Sequence, residues 1–430
     1  MSHLITQPPR GADMTDKNAP QLLFVGGAAN FPLTLDAVET AIHQAHKRGL
    51  TVHVTNQEDT QTATPTITEI ADATSVVDFE VRGASASWAQ EQVAAGNSFD
   101  VVFGVRELAL EAVAETAAAV GRAGNPHHAV HRIRTKDEAR AALSAAGFLQ
   151  PLFQVCADAQ AAYDFLKRST GPWVVKPRDM WGSEGVTRID GPEDLAKALE
   201  FLPEKSSNSF IVEEFVEGPE YSVEGLFLDG VPHVLAITSK ELLPPPNFFE
   251  IEYVVPAILP EDSARKIEQQ VVAALIELEL SYGHFHVELW LTERGVVLGE
   301  LHARGGGGWL HLLTAHVIPG LEWFGLIYDD VLGNPIDRAA LRPVRGAAIR
   351  FLTPPPGRLV AVEGWEEVLA HPDVLRAELA VSPGDVIKPH RAVSNRIGLI
   401  AVGANTPEEA QALARTLEAS VRFVTEPVPS

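Results

Sequence analysis

Residues 283 to 308 read Gly283-His-Phe-His-Val-Glu-Leu-Trp-Leu-Thr-Glu-Arg-Gly-Val-Val-Leu-Gly-Glu-Leu-His-Ala-Arg304, followed by Gly305, Gly306, Gly307 and Gly308. Two short β-type runs flank Thr292, Glu293, Arg294 and Gly295, a turn-rich break that predicts an antiparallel hairpin. Side chains alternate faces along a strand, so His284, His286 and Glu288 share one face of the first run, and Glu300 and His302 share one face of the second. Phe285, Val287 and Leu289 are left for a packed core. Carboxylates gathered on one buried surface repel unless a cation sits among them, so the pattern predicts a divalent metal site. Oxygen donors favour magnesium or manganese, and imidazoles admit zinc. Four glycines let the backbone approach a ligand, and the predicted helix Trp309 to Val317 offers its N-terminus to an anion. Arg304 stands beside that loop as a clamp for carboxylate or phosphate. A solvated hairpin followed by a flexible loop is the plainer alternative.

The rest of the chain narrows the class. Its 430 residues are enough for about three domains with real cores. Hydrophobic content of 46% and charged content of 21% are those of an ordinary globular protein. A net charge of −23 argues against nucleic acid or anionic membrane as partner, because both reward basic surfaces. A nucleotide needs only a few local cations and stays open. Cys156 is the single cysteine, so no intrachain disulfide forms, and a reducing, cytoplasmic compartment is expected. No apolar run approaches the length of a membrane span. Residues 1–20, with Pro8, Pro9, Gly11 and Pro20, are expected to be a disordered tail.

From Gln21 onward, buried strand patterns alternate with amphipathic helices: a strand at Gln21 to Gly27, a helix at Leu35 to Arg48, then strands at Thr51 to Val54, Val76 to Phe79 and Asp100 to Val105. This βαβα rhythm predicts a parallel, doubly wound sheet. Gly26 and Gly27 alone lack the dinucleotide fingerprint. Residues 131–147 predict a helix with Thr135 as N-cap, Gly147 as C-terminal stop and Lys136 in the first turn. The strand Pro172 to Pro177 places Lys176 near its end. Gly182, Ser183, Glu184, Gly185 and Val186 follow as a loop whose amides and hydroxyl suit phosphates, a plain hairpin loop being the competing view. Phe210 to Glu224 reads strand, turn, strand, and Leu242 to Phe249 reads as a proline-rich surface loop.

In this order the pieces resemble the ATP-grasp superfamily, specifically its carboxylate–amine ligases of the L-amino-acid ligase type, over roughly residues 21–425. The resemblance implies an α/β (α+β) fold of ATP-grasp architecture. It divides into an N-terminal doubly wound, Rossmann-like domain at 21–130, an ATP-grasp region at 131–340 and a C-terminal α+β lid domain at 341–430. It implies that Lys136 and Lys176 reach the nucleotide phosphates under the Ser183, Gly185 and Val186 loop, that Glu213, Glu214 and Val216 form the adenine-reading hinge, and that Glu220 binds ribose. Glu288 and Glu300 match the metal carboxylates and Arg304 the arginine that stabilises the acyl phosphate. His302 stands where the family commonly has asparagine, and an imidazole there still ligates metal or accepts a hydrogen bond. ATP and two magnesium ions (manganese as the substitute) are the implied cofactors. Small carboxylate and amine substrates are the implied partners, in a possible homodimer. The catalytic set is then Lys176, Glu300 and Arg304, with His286, Arg304, Gly305, Gly306 and Trp309 expected at the substrate. The family offers no rationale for Trp181.

Two other readings use the same residues. A zinc hydrolase would employ His284, His286, Glu288 and His302, but leaves the lysines and the loop without a task. A non-catalytic nucleotide-binding scaffold has no need of the complete Lys176, Glu288, Glu300 and Arg304 set.

Overall fold

A computed structural model describes residues 19–180, 182–244, 248–390 and 395–428. Residues 1–18 of the expected tail, and Trp181, lie outside them. The first unit is a four-stranded parallel sheet of β1 (Gln21–Val25), β2 (Thr51–Asn56), β3 (Ala73–Val76) and β4 (Val101–Phe103) in the order β3-β2-β1-β4. The order reverses between β1 and β4, and ligands of open parallel sheets sit in the crevice beyond the strand ends at such a reversal. The segments leaving these two strands carry Ala29 and Phe31 on one side and Arg106 and Glu107 on the other. All four line the central cleft.

The second unit was hidden inside the region expected to be one domain. β5 (Phe153–Cys156), β6 (Trp173–Pro177), β7 (Thr187–Ile189) and β8 (Phe210–Glu214) form a separate antiparallel sheet with its own core around Phe165, Trp173 and Phe210. Lys176 and Glu213 are on adjacent strands here, Lys176 pairing with Ile211 and Val174 with Glu213.

The third unit is an eight-stranded sheet in the order β13-β12-β9-β10-β11-β14-β18-β16. It comprises β9 (Glu220–Leu228), β10 (Val231–Leu242), β11 (Glu250–Val255), β12 (His284–Thr292), β13 (Gly295–His302), β14 (Gly346–Phe351), β16 (Val374–Leu379) and β18 (Gly398–Ala404). The C-terminal segment expected as its own domain therefore extends the central sheet through β14, β18 and β16. Its remaining strands, β15 (Gly357–Glu363), β17 (Val386–Ile387) and β19 (Arg422–Glu426), form a small sheet of three.

The predicted hairpin is present as β12 and β13, with Phe285, Val287 and Leu289 fully buried on one face. Each such side chain contributes about 1.5–3 kcal/mol of burial. The hairpin carries a feature that alternation alone misses. The register pairs Val287 with Leu301 but Leu289 with Leu298, so one extra residue sits on β13 opposite Glu288. This bulge switches the parity of β13. Val296, Leu298 and Leu301 all reach the core, while Glu300 and His302 face the cleft.

Candidate active site

The three units meet around a cleft of about 550 Å³. On the small-sheet side, Lys176 Nζ donates to Glu213 Oε1 at 2.7 Å, and Glu213 also accepts from Arg140 at 2.6 and 3.1 Å. Burial disfavours the Glu213 charge, but Arg140 and Lys176 override it and bring the carboxyl to about 2. Burial pushes the Lys176 ammonium down from the usual lysine value in spite of Glu213. Lys136 lies 3.3 Å from Glu300 Oε2, and Lys176 lies 4.0 Å from Glu300 Oε1. Two lysines thus face the hairpin carboxylate from the opposite wall. The expected loop also borders the cleft through Gly182, Ser183 and Val186, and Ser183 Oγ donates to the Phe248 carbonyl at 3.1 Å. Gly185 has φ +70°, and an added Cβ would meet Pro203 at 2.7 Å, so its conformation and its space both require glycine.

A second lysine cluster escaped the sequence reading. Lys240 on β10 lies 2.6 Å from Glu288, 3.1 Å from Glu250 and 3.5 Å from Glu220. Burial opposes its charge, yet Glu288 and Glu250 hold its pKa well above the ordinary value. Burial, with Glu288 and Glu250 nearby, raises the Glu220 carboxyl to about 7 against the pull of Lys240. Oxygens of Glu220, Glu250 and Glu288 all lie within 4.8 Å of one another, close enough to share a cation. Glu288 also destabilises the charge on Glu300, while His302 favours the charge on both, so these three groups face a common space. Mutually repelling buried carboxylates with oxygen donors fit hard divalent cations.

Deeper in the cleft, His286 Nδ1 lies 2.8 Å from Glu224 and its Nε2 lies 3.3 Å from Glu288. Burial works against the imidazolium, but Glu224 and Glu288 outweigh it and raise the pKa to about 9. The Gly306 amide donates to Glu224 at 3.3 Å, and an added Cβ there would meet His286 at 2.7 Å. Gly306 and Gly308 are thus the close-approach glycines of the loop, an added Cβ at Gly308 meeting Tyr253 at 2.5 Å. Glu107, delivered by the loop after β4, accepts from Arg304 Nε at 2.5 Å and lies 3.1 Å from His302 Nδ1. Burial raises its pKa, but Arg304 and His302 win and hold the carboxyl well below the usual range. His302 is left with Nε2 3.7 Å from Glu300.

The structure corrects two expectations. His284 is not on the cleft: its Nε2 pairs with the Trp323 carbonyl at 2.8 Å and its ring stacks on the Trp323 indole at 4.7 Å. Burial lowers its pKa to about 4. The four-residue zinc set is therefore not assembled among the described residues, because His284 is committed to the core. Trp309 is not at the substrate side either. It is 3% exposed, takes φ +64° just before the helix Leu310–Val317, and carries Arg376 over its ring at 3.5 Å. The tryptophan bordering the cleft is Trp323. An αL turn at Trp309 rotates the indole away from the loop, a twist that sequence spacing does not carry.

Two profiles of known families match the chain: an ATP-grasp domain over residues 169–312 and the L-amino acid ligase C-terminal domain 2 over residues 350–426. Residues 169–312 thus carry an ATP-grasp domain. The chain's ATP-grasp fold is shared with the crystal structure of an L-amino acid ligase from Bacillus licheniformis, at a TM-score of 0.77 and 24% identity, covering 95% of this chain and 99% of that one. Among curated relatives, an alanine–anticapsin ligase of Bacillus subtilis is 28% identical over 268 residues, 55% of each chain. An uncharacterized protein of Sinorhizobium fredii is 26% identical over 348 residues, 77% of this chain and 70% of that one. Of the residues singled out in the sequence, Lys136, Lys176, Glu288, Glu300 and Arg304 line this one cleft. The sequence did not single out Lys240, Glu107, Glu224 or Arg140. Lys240 follows Thr238 and Ser239 in a strand and has no flanking motif. Its partners Glu250 and Glu288 are 10 and 48 positions away, so no local pattern announces the cluster.

Proposed function

We propose that this ATP-grasp protein is an ATP-dependent ligase that joins the carboxylate of an amino acid to an amine, giving an amide or dipeptide with ADP and phosphate. The observation that carries this reading is one cleft in which Lys136 and Lys176 face Glu300 and Glu288, with Arg304 and the glycine loop beside them.

In this reading a carboxylate oxygen attacks the γ-phosphorus of ATP, the bond to the ADP oxygen breaks, and an acyl phosphate forms. The amine nitrogen then attacks the carbonyl carbon, phosphate leaves, and the nitrogen sheds its proton. Such phosphoryl transfer depends on alignment and charge neutralisation rather than on a covalent protein intermediate. Lys136 and Lys176 hold the phosphates, with Glu213 and Arg140 fixing where the Lys176 ammonium points. Backbone groups from Glu213 to Val216 receive the adenine and Glu220 the ribose. Glu288 and Glu300, with His302, would hold two magnesium ions, or manganese, which supply charge neutralisation at the phosphates. Arg304 meets the charge that develops on the acyl group. Glu107 and the Gly305 carbonyl fix its guanidinium, so little reorganisation accompanies the reaction. Walls from three units keep water from the acyl phosphate. Cys156, a lone buried thiol, suits a reducing compartment, and we extend the reading to the cytoplasm.

The test is a pairwise screen of amino acids with ATP and magnesium, reading ADP release and then product mass. ADP release that requires two amino acids and yields a mass equal to their sum less water supports the reading. Failure of every pair to release ADP overturns it.

A further inference from the structure

Arg396 has no task in the reaction as drawn. It enters the cleft from the C-terminal segment, two residues before β18, and borders the same space as the glycine loop. Its guanidinium carbon lies 3.7 Å from the centre of the Phe351 ring and 5.8 Å from that of Phe249. These aromatic faces hold the charged head in place. One terminal nitrogen, Nη2, donates to Glu250 Oε2 at 2.5 Å, while Glu250 Oε1 accepts from Lys240 at 3.1 Å. The Arg396 Nε–H is buried and has no hydrogen-bond partner among the described residues.

A guanidinium presents five donors in a rigid fork suited to carboxylates, and a buried donor left unpaired is costly. A cation fixed by aromatic rings on the wall of a reaction cleft, its side chain still 15% exposed there, is organised for an anion. Phosphate has its own lysines on the opposite wall, Lys136 and Lys176. The carboxylate that is phosphorylated ceases to be a free carboxylate in the first step, so a cation dedicated to it serves it poorly in the second. An amino acid that supplies the amine keeps its carboxylate throughout. Lys240 and Glu250 connect Arg396 to Glu288, which places that carboxylate on the wall next to the metal carboxylates. We propose that Arg396 is the recognition residue for the carboxylate of the amino acid that supplies the amine. The inference rests on the ligase reading and adds that the C-terminal segment contributes directly to substrate choice.

The experiment compares amine substrates that differ only at that group: an amino acid and its primary amide, each with the same acyl-donating amino acid. ADP release and product mass are followed in wild type, Arg396→Gln and Arg396→Lys. In wild type the amino acid should be preferred over its amide by roughly 10- to 100-fold in kcat/KM, the worth of one charge-assisted hydrogen bond. Arg396→Gln should raise KM for the amino acid, leave KM for the amide and for ATP near wild type, and bring the preference below about threefold. Arg396→Lys, which keeps the charge and loses the fork, should fall between them and serves as the variant if the glutamine form does not fold. A wild type that accepts the amide equally well overturns the inference, a result read without any variant. A uniform loss with both acceptors, the preference intact, also overturns it and makes Arg396 a brace for Glu250. Absence of ADP release in wild type with every pair instead defeats the ligase reading itself.

Discussion

Lys176 and Lys240 are both buried on the walls of one cleft, yet they live in opposite surroundings. Lys176 has one close carboxylate, Glu213, which it shares with Arg140, and burial lowers its pKa. Lys240 has three, Glu220, Glu250 and Glu288, and its pKa is raised well above the ordinary value. The first wall has cationic charge to spare and awaits an anion. The second sets three carboxylates against Lys240 and Arg396, so anionic charge is still to spare and it awaits a cation. A polyphosphate with its metal ions satisfies both walls at once. The comparison teaches that lysines of equal burial are told apart by the charge count around them.

Four measurements break or sharpen this contrast. Glu300 stands nearest to the lysine pair of the first wall. Glu300→Gln should lower turnover on the order of 10³-fold while the fold survives, a loss of the size seen when one transition-state charge partner is removed. Wild-type-like ADP release would show that the carboxylate is not part of the reacting charge balance. On the second wall, Lys240→Met leaves the half-buried Glu220 and Glu288 without their lysine, while Glu250 keeps Arg396. It should cost about 3–5 kcal/mol in urea unfolding, part of which millimolar magnesium restores. A loss that magnesium does not touch would mean that the acidic trio holds no metal.

Lys176→Met is the reciprocal case. Glu213 keeps Arg140, so stability should move by no more than about 1 kcal/mol, whereas ATP affinity should fall roughly 10- to 100-fold. An unchanged rise in melting temperature with ATP would remove Lys176 from the phosphate site. The smallest effect applies the same logic to two histidines on one strand. His286, between carboxylates, is raised to about 9, and His284, buried against Trp323, is lowered to about 4. Below pH 6.5 the unfolded chain binds a proton at His284 that the folded chain refuses, so the stability this site contributes is lost as pH falls from about 6.5 towards 4. At pH 5 that loss should be about 2 kcal/mol relative to pH 7. It is read as the difference in pH slope between wild type and His284→Asn, and equal slopes would refute the assignment.

What the sequence showed of this site follows from distance along the chain. The hairpin, its turn, its core face and the order of Lys136, Lys176, Glu288, Glu300 and Arg304 were legible because each is a local pattern. Glu107 and Arg304 are separated by 197 positions, and Arg140 and Glu213 by 73, so nothing local announces either pair. The small sheet around Lys176 was folded into a larger expected unit because its strands are short and their hydrophobic runs resemble their neighbours'. The bulge opposite Glu288 was invisible because Gly299 and Glu300 fit plain alternation equally well. Trp309, expected at the substrate, is buried with its backbone at φ +64°, a conformation that spacing along the chain does not reveal. The wider fold was read more fully than the site, since strand alternation and helix periodicity repeat over many residues and a charge partner does not.

The continuity of the eight-stranded sheet limits how this protein can be divided. β11 holds Glu250 and pairs with β14, which pairs in turn with β18. A chain cut before residue 346 would leave Glu250 to Val255 as a bare sheet edge, with Tyr253, Val254 and Val255 stripped of their cover. Exposed hydrophobic edges recruit other strands. The segment matching the ATP-grasp profile is thus a poor candidate for a minimal enzyme, and a useful shortened version must keep the strands that come last in the chain.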